Sequence, residues 1–211
     1  MEDKPPRRRE RQAQLTQDEI LKAARHLFAE RGYTRTSVRD IAAEAGVAAQ
    51  TVYDSIGSKQ KLVARLNDLI DSEAGIGAIV GGAMRSGDPR ALAATSARVT
   101  RSIIEHCGDI VHALVTGAAA EPELEAVLAE GHRRHVEGAR SLVDALQDIG
   151  ALAAGSDPGT AADSLAIISD AQVALLLRDA YGWTLDEIEA WITTTSRALL
   201  LDPEPAPGTP S

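Results

Sequence analysis

Apolar residues recur every three to four positions through most of this chain, and no stretch alternates apolar with polar over a strand's length, so the pattern predicts an all-α fold. The first helix opens at Thr16-Gln17-Asp18-Glu19, a capping box, carries Ile20, Leu21, Ala24, Leu27 and Phe28 on one face, and stops at Gly32. Two short helices follow within residues 37–55, and a longer one starts at Ser58 with Leu62, Val63, Leu66, Leu69 and Ile70 on one side. Residues 75–87 hold five glycines and read as a loop or frayed connection. Asp88-Pro89 is a cap followed by proline at the first helical position, opening a helix to about His106 with Leu92, Thr95, Val99 and Ile103 inward; Ile110, Val111, Leu114 and Val115 continue it after Gly108. Further helices are predicted from Pro122 to Ile149, from the Asp157-Pro158 cap to Gly182, and from a Thr184–Glu187 capping box to Leu201.

Residues 37–59, SVRDIAAEAGVAAQTVYDSIGSK, have the form of a helix-turn-helix. Ser37 caps the first helix with Asp40 three residues on, Val38, Ile41, Ala42 and Ala45 form its inward stripe, and Gly46 supplies a left-handed turn. The second helix, from about Ala48 to Ser55, buries Val52 and leaves Ala48, Ala49, Gln50, Thr51 and Tyr53 to face a major groove. Small and polar side chains at its start permit close approach to base edges. Gln50 is able to make a bidentate contact with adenine, and Gln50 and Thr51 are the candidate base readers. Tyr53 and Lys59 are candidate phosphate contacts, supported by Thr36, Ser37 and Arg39; packing of Tyr53 between helices and a solvated Lys59 are the plainer alternatives.

Phe28, Gly32, Tyr33, Thr36, Ile41, Ala42, Ala45, Gly46, Val47, Thr51, Val52, Tyr53, Ser58, Lys59 and Leu62 fall in the order and spacing of the tetracycline-repressor-like (TetR) family, which the chain resembles over residues 16–66. Ile56 stands where that family usually has Phe, Asp54 where a basic or aromatic residue is common, and Gln50 where Gly is frequent. The resemblance implies an N-terminal three-helix reader at residues 16–62 and a C-terminal helical ligand-binding and dimerisation domain at residues 63–201. It implies a ligand-responsive transcription regulator, most often a repressor on a palindromic operator of double-stranded DNA. It also implies a homodimer through the last two helices, here through Ile168, Ala171, Leu175, Ile188, Trp191 and Thr195. A ligand-binding module with decayed DNA binding and an effector-independent activator remain the alternative functions.

Charge sharpens this division. The net charge is -9, yet residues 1–62 hold 12 Lys and Arg against 9 Asp and Glu, while the remainder holds 10 against 22. A mildly basic reader thus precedes an acidic body that DNA would repel. The first 15 residues, with Arg7, Arg8, Arg9 and Arg11, read as a disordered basic arm, either a solvated tail or a phosphate and minor-groove contact. Residues 202–211 read as a disordered proline-rich tail. The single cysteine, Cys107, suits a reducing cytoplasm and reads as a small buried hydrophobe. No apolar run is expected to cross a membrane, and the charged start lacks a signal segment.

Composition is 44% hydrophobic but only 3% aromatic, so a cavity between Asp88 and Gly150 would be aliphatic and suited to an apolar or amphipathic effector, an inference that rests on the resemblance. His106, His112, His132 and His135 are candidate ligand contacts. His132 and His135, three apart on one helix, are more simply explained by bonds to backbone or water at the core's edge than by a ligand, and their spacing alone does not make a metal site. The sequence contains no phosphate-binding glycine loop, HExxH or GxSxG motif, so no catalytic residue, cofactor or metal is expected.

Overall fold

The computed structural model describes residues 8–119 and 121–203. Among them are eleven helices and no strand: α1 (Arg8–Arg31), α2 (Val38–Glu44), α3 (Ala49–Ser55), α4 (Lys59–Glu73), α5 (Ile76–Ser86), α6 (Pro89–Ala93), α7 (Thr95–Ala118), α8 (Pro122–Asp148), α9 (Pro158–Ile168), α10 (Ala171–Tyr181) and α11 (Leu185–Leu200). The chain forms two compact units. One comprises Met1–Ile70 with Asp109–Ala129, and the other Asp71–Gly108 with Glu130–Ser211.

In the first unit, α1 to α3 pack around Ile20, Ala24, Leu27, Phe28, Ile41, Ala42 and Val52, all buried. The end of α7 and the start of α8 add Ile110, Ala113, Leu114 and Leu124. Packing is close around Gly117. A Cβ there would lie 2.6 Å from Leu124 Cδ1 and 3.2 Å from the Tyr33 ring, so no larger residue fits without displacing one of them. The Tyr33 ring in turn meets Phe28 at 5.4 Å between centroids. A two-bond ion pair links α1 to α7, Arg25 Nε and Nη2 donating to the Asp109 carboxylate at 2.6 and 2.8 Å.

The first helix departs from the sequence reading. It starts at Arg8, so Thr16 caps nothing; it lies inside α1, where its hydroxyl donates back to the Gln12 carbonyl at 3.0 Å. Residues 8–15, expected as part of a disordered arm, are helical and exposed around their whole circumference. Arg7 and the residues before it lie outside the described residues, as does the tail beyond Pro203.

The second unit has a core of Leu92, Ala93, Leu142, Val143, Leu146, Ala162, Leu165 and Leu200. Its helix starts follow the caps legible in the sequence: Asp88 accepts from Arg90 N, Asp157 from Thr160 N, and Thr184 and Glu187 form a reciprocal capping box. Three expectations need correction here. The glycine-rich stretch is a helix, α5, closed at both ends by glycines in the left-handed region (Gly75 φ +61°, Gly87 φ +60°). The helix after Asp88 ends at Ala94, and α7 then runs unbroken through Gly108.

The third correction concerns residues 158–181. This stretch, expected as one helix, is long enough to cross a membrane and has a mean hydropathy of 1.4 over its most apolar 18 residues. It is instead two helices of 11 residues each, and a span of helix needs about 20. The break lies at Ser169 and Asp170, and side chains from other helices hold it. Thr100 Oγ1 donates to the Ser169 carbonyl at 2.6 Å, His135 Nε2 donates to the Ala166 carbonyl at 2.8 Å, and His132 Nδ1 lies 3.4 Å from Asp170 Oδ2. Asp170 Oδ1 caps α10 by accepting from Gln172 N. Carbonyls left unpaired where α9 stops thereby find donors.

Candidate nucleic-acid interface

Ser37 and Asp40 build the start of α2 as a complete capping box, the Ser37 side chain accepting from Asp40 N at 3.2 Å and the Asp40 carboxylate accepting from Ser37 N at 2.9 Å. The Ser37 hydroxyl bond, then the backbone bond, holds the Asp40 carboxyl below its ordinary value. After Ala45, Gly46 turns the chain at φ +67°, and Val47 N closes the turn on the Ala42 carbonyl at 2.9 Å. Helix α3 begins at Ala49 with Ala48 as an extended cap and buries Val52 completely. Its end is tied to α1 by Gln17, whose Nε2 donates to the Ser55 carbonyl at 2.9 Å.

This packing decides which candidates are free to touch DNA. Ala48, Gln50 and Tyr53 are exposed, Tyr53 at 52%, whereas Ala49 and Thr51 are half-buried. Gln50 does not point idly outward: its Nε2 donates to Asp54 Oδ1 at 2.8 Å, one turn along α3. Ser37 and Arg39 are exposed at the start of α2. Thr36 is different. It is 2% exposed, and its hydroxyl donates to the Gly32 and Leu27 carbonyls at 3.0 and 3.3 Å, so its side chain fastens the turn after α1 rather than facing a phosphate.

Lys59 is half-buried. Its Nζ donates to the Tyr33 carbonyl at 3.1 Å and sits 3.9 Å from the centroid of the Tyr33 ring. Burial pushes its ammonium pKa down, partly opposed by the charge of Glu121. One of its three donors is thus spent inside the unit, leaving it neither wholly solvated nor wholly available. Lys61, which the sequence reading passed over, is exposed two residues later with its stem over Gly57. Helical phase was the signal that could have found it, since Lys59 and Lys61 cannot share a face. Arg8, Arg9 and Arg11 stand exposed on the first turns of α1.

Residues 20–66 match the family described as bacterial regulatory proteins, tetR family. Residues 20–66 are a tetR-family domain. The chain's fold is shared with several solved structures at low identity. SmeT in complex with triclosan superposes with a TM-score of 0.71 at 20% identity, covering 92% of this chain and 100% of that one. NalD, the secondary repressor of the MexAB-OprM multidrug efflux pump in Pseudomonas aeruginosa, gives 0.70 at 21% identity, covering 90% and 98%. The TetR-family regulator PfmR from Thermus thermophilus gives 0.62 at 23%, covering 86% and 96%. No curated protein matches the chain at the level of sequence.

Outside residues 20–66, the candidate ligand and dimer residues are distributed unevenly. His106 and His112 are exposed on α7, with His106 Nδ1 donating to the Ser102 carbonyl at 2.9 Å. His132 and His135 brace the α9–α10 break, as described above. In the first unit, Arg25, Phe28, Val63, Leu66, Asp109, Ile110 and Ala113 line a shallow cleft too narrow to hold a water molecule. None of the four histidines lines it. Of the dimer candidates, Leu175 and Ile188 are buried within the protomer's own core, while Ile168, Ala171, Trp191 and Thr195 are half-buried. Trp191 meets Trp183 edge to face at 6.1 Å. The large apolar side chains that α9 and α10 do expose are Ile167, Leu176 and Tyr181.

Proposed function

We propose that this TetR-family regulator binds a palindromic operator as a homodimer, represses transcription by occupying it, and is released by a small apolar or amphipathic molecule. The observation that carries the reading is the α2–α3 pair itself: capped at Ser37, turned at Gly46, and presenting Ala48, Gln50 and Tyr53 outward from a packed three-helix base. In this reading Gln50 and Thr51 read bases, Tyr53, Ser37 and Arg39 touch phosphates, and Lys61 supplies charge that Lys59 only partly provides. Ala48 and Ala49 keep the helix close to the groove.

Dimerisation follows from the arithmetic of recognition. One short helix contacts few base pairs, and two copies about 34–36 Å apart read enough sequence for useful specificity. Ile167, Leu176 and Tyr181, exposed on helices near the chain's end, support a face between copies. An effector in the second unit is supported by Ser96 and Ser196, whose hydroxyls are buried without a hydrogen-bond partner among the described residues. The triclosan complex of SmeT and the repressor role of NalD support the same reading. A protein that works on an operator in this way belongs in the bacterial cytoplasm.

The test is selection of bound fragments from random and genomic DNA by the purified full-length protein at physiological salt. A recovered palindrome is the expected result. No enrichment over random DNA would overturn the reading and leave a ligand-binding body with a decayed reader.

A further inference from the structure

Asp54 is the most puzzling residue on the reader. It is exposed on the helix that faces the groove, where a carboxylate repels the phosphates on either side and lowers affinity for every sequence. What it does structurally is accept the Gln50 Nε2 proton at 2.8 Å across one helical turn. From this juxtaposition we infer that Asp54 is a specificity-determining positioning residue: it fixes which way round the Gln50 amide sits, so that the helix selects adenine and rejects guanine at the base Gln50 reads.

The chemistry is as follows. Only the nitrogen end of an amide can face a carboxylate, because the oxygen end would set acceptor against acceptor. The bond to Asp54 therefore removes the freedom of the Gln50 amide to turn over. Its nitrogen carries two protons. In the arrangement we infer, the proton on the side away from Oε1 goes to Asp54 and the other lies beside Oε1, a donor next to an acceptor on one edge of the amide. Adenine offers the complement in the major groove, an acceptor at N7 beside a donor at the N6 amino group, whereas guanine offers acceptors at both N7 and O6. A fixed amide thus meets guanine with an oxygen against O6. A free amide could reorient to donate to guanine instead, and the discrimination would fade. A residue that costs affinity on all DNA gains sequence preference in exchange, as specificity built on rejection requires.

This inference rests on the proposed DNA-reading function, and its test separates the two. The same fragment selection is run with wild type and with Gln50→Ala, Asp54→Ala and Asp54→Asn, each checked for unchanged helix content by circular dichroism. Wild type is expected to prefer adenine over guanine at one position of each half-site by roughly 5- to 150-fold, the discrimination of a good bidentate contact. Gln50→Ala identifies that position by losing the preference there. Asp54→Ala is expected to bring adenine and guanine toward parity at the same position. Asp54→Asn offers Gln50 either its oxygen or its nitrogen, so the Gln50 amide regains the freedom to turn over, the preference fades there too, and affinity rises for all sequences. If the Asp54 variants raise affinity for all sequences and leave the adenine preference intact, the residue acts by charge alone and the positioning role is overturned. It is equally overturned if Asp54→Ala changes a base other than the one Gln50→Ala changes, since Asp54 would then read DNA directly. Failure of wild type to select any palindrome overturns the function proposed above, and this inference with it, through a result the variants do not produce.

Discussion

Thr36 and Ser37 are neighbours in the chain and do opposite things, one locked under a turn and the other open at a helix start. The role of Ser37 is legible in the sequence because a capping box is a local pattern of four residues. That of Thr36 is not, because its hydroxyl reaches the carbonyl of Leu27, nine residues back, and burial depends on how α1 and α2 pack. Lys59 is similar: its ammonium is taken up by Tyr33 and feels Glu121, a residue 62 positions away that no local reading connects to it. Thr36→Val keeps the shape and removes the donor. It should therefore lower unfolding free energy in urea by about 1–2 kcal/mol while leaving operator affinity of the folded protein unchanged. A larger loss of DNA affinity than of stability would return Thr36 to the interface.

At the scale of elements, caps were readable and continuations were not. Thr16-x-x-Glu19 has the letters of a helix start, yet residues 8–15 upstream consist mostly of good helix formers, so the helix passes through the motif. Five glycines suggested a loop over residues 75–87, but Ile76, Ile79, Val80 and Ala83 keep helical spacing, and the glycines at each end act as boundaries. The break between α9 and α10 was hidden because Ser169-Asp170 is short and its donors come from α7 and α8. The caps also set an acid limit. Asp40, Asp157 and Glu187 all sit below their ordinary values: Asp40 chiefly through its bond with the Ser37 side chain, Asp157 through the Thr160 backbone and Glu187 through the Thr184 backbone. A lowered folded value means that each contributes stability above the ordinary carboxylate pKa and loses it as pH falls through the lowered one. The urea midpoint should accordingly hold steady near neutrality and decline below about pH 4. Glu187→Gln should make that decline shallower, and an unchanged profile would remove the α11 cap from the account.

For the whole molecule, a reader ending at residue 62 was the natural division by charge and by motif. Compactness divides the chain differently, since Asp109–Ala129 joins Met1–Ile70 in one unit. Sequence could not announce this, because the segment that returns is ordinary amphipathic helix with no mark of its destination. A fragment of residues 1–70 should lose the packing of Phe28 and Tyr33 against Ile110, Gly117 and Leu124. Its thermal transition by circular dichroism should be broad and well below that of the full chain. A sharp transition at the full chain's temperature would show that the returning segment is dispensable. Gly117 gives this arrangement a consequence for inheritance. Relatives that exchange DNA specificity by recombination at one crossover near residue 70 would pair a foreign Tyr33 environment with a resident α7, and a Cβ at position 117 would press on Leu124 Cδ1 and the Tyr33 ring. Viable hybrids need the 109–129 segment to travel with its reader, so operator preference and part of the effector-domain sequence should be inherited together.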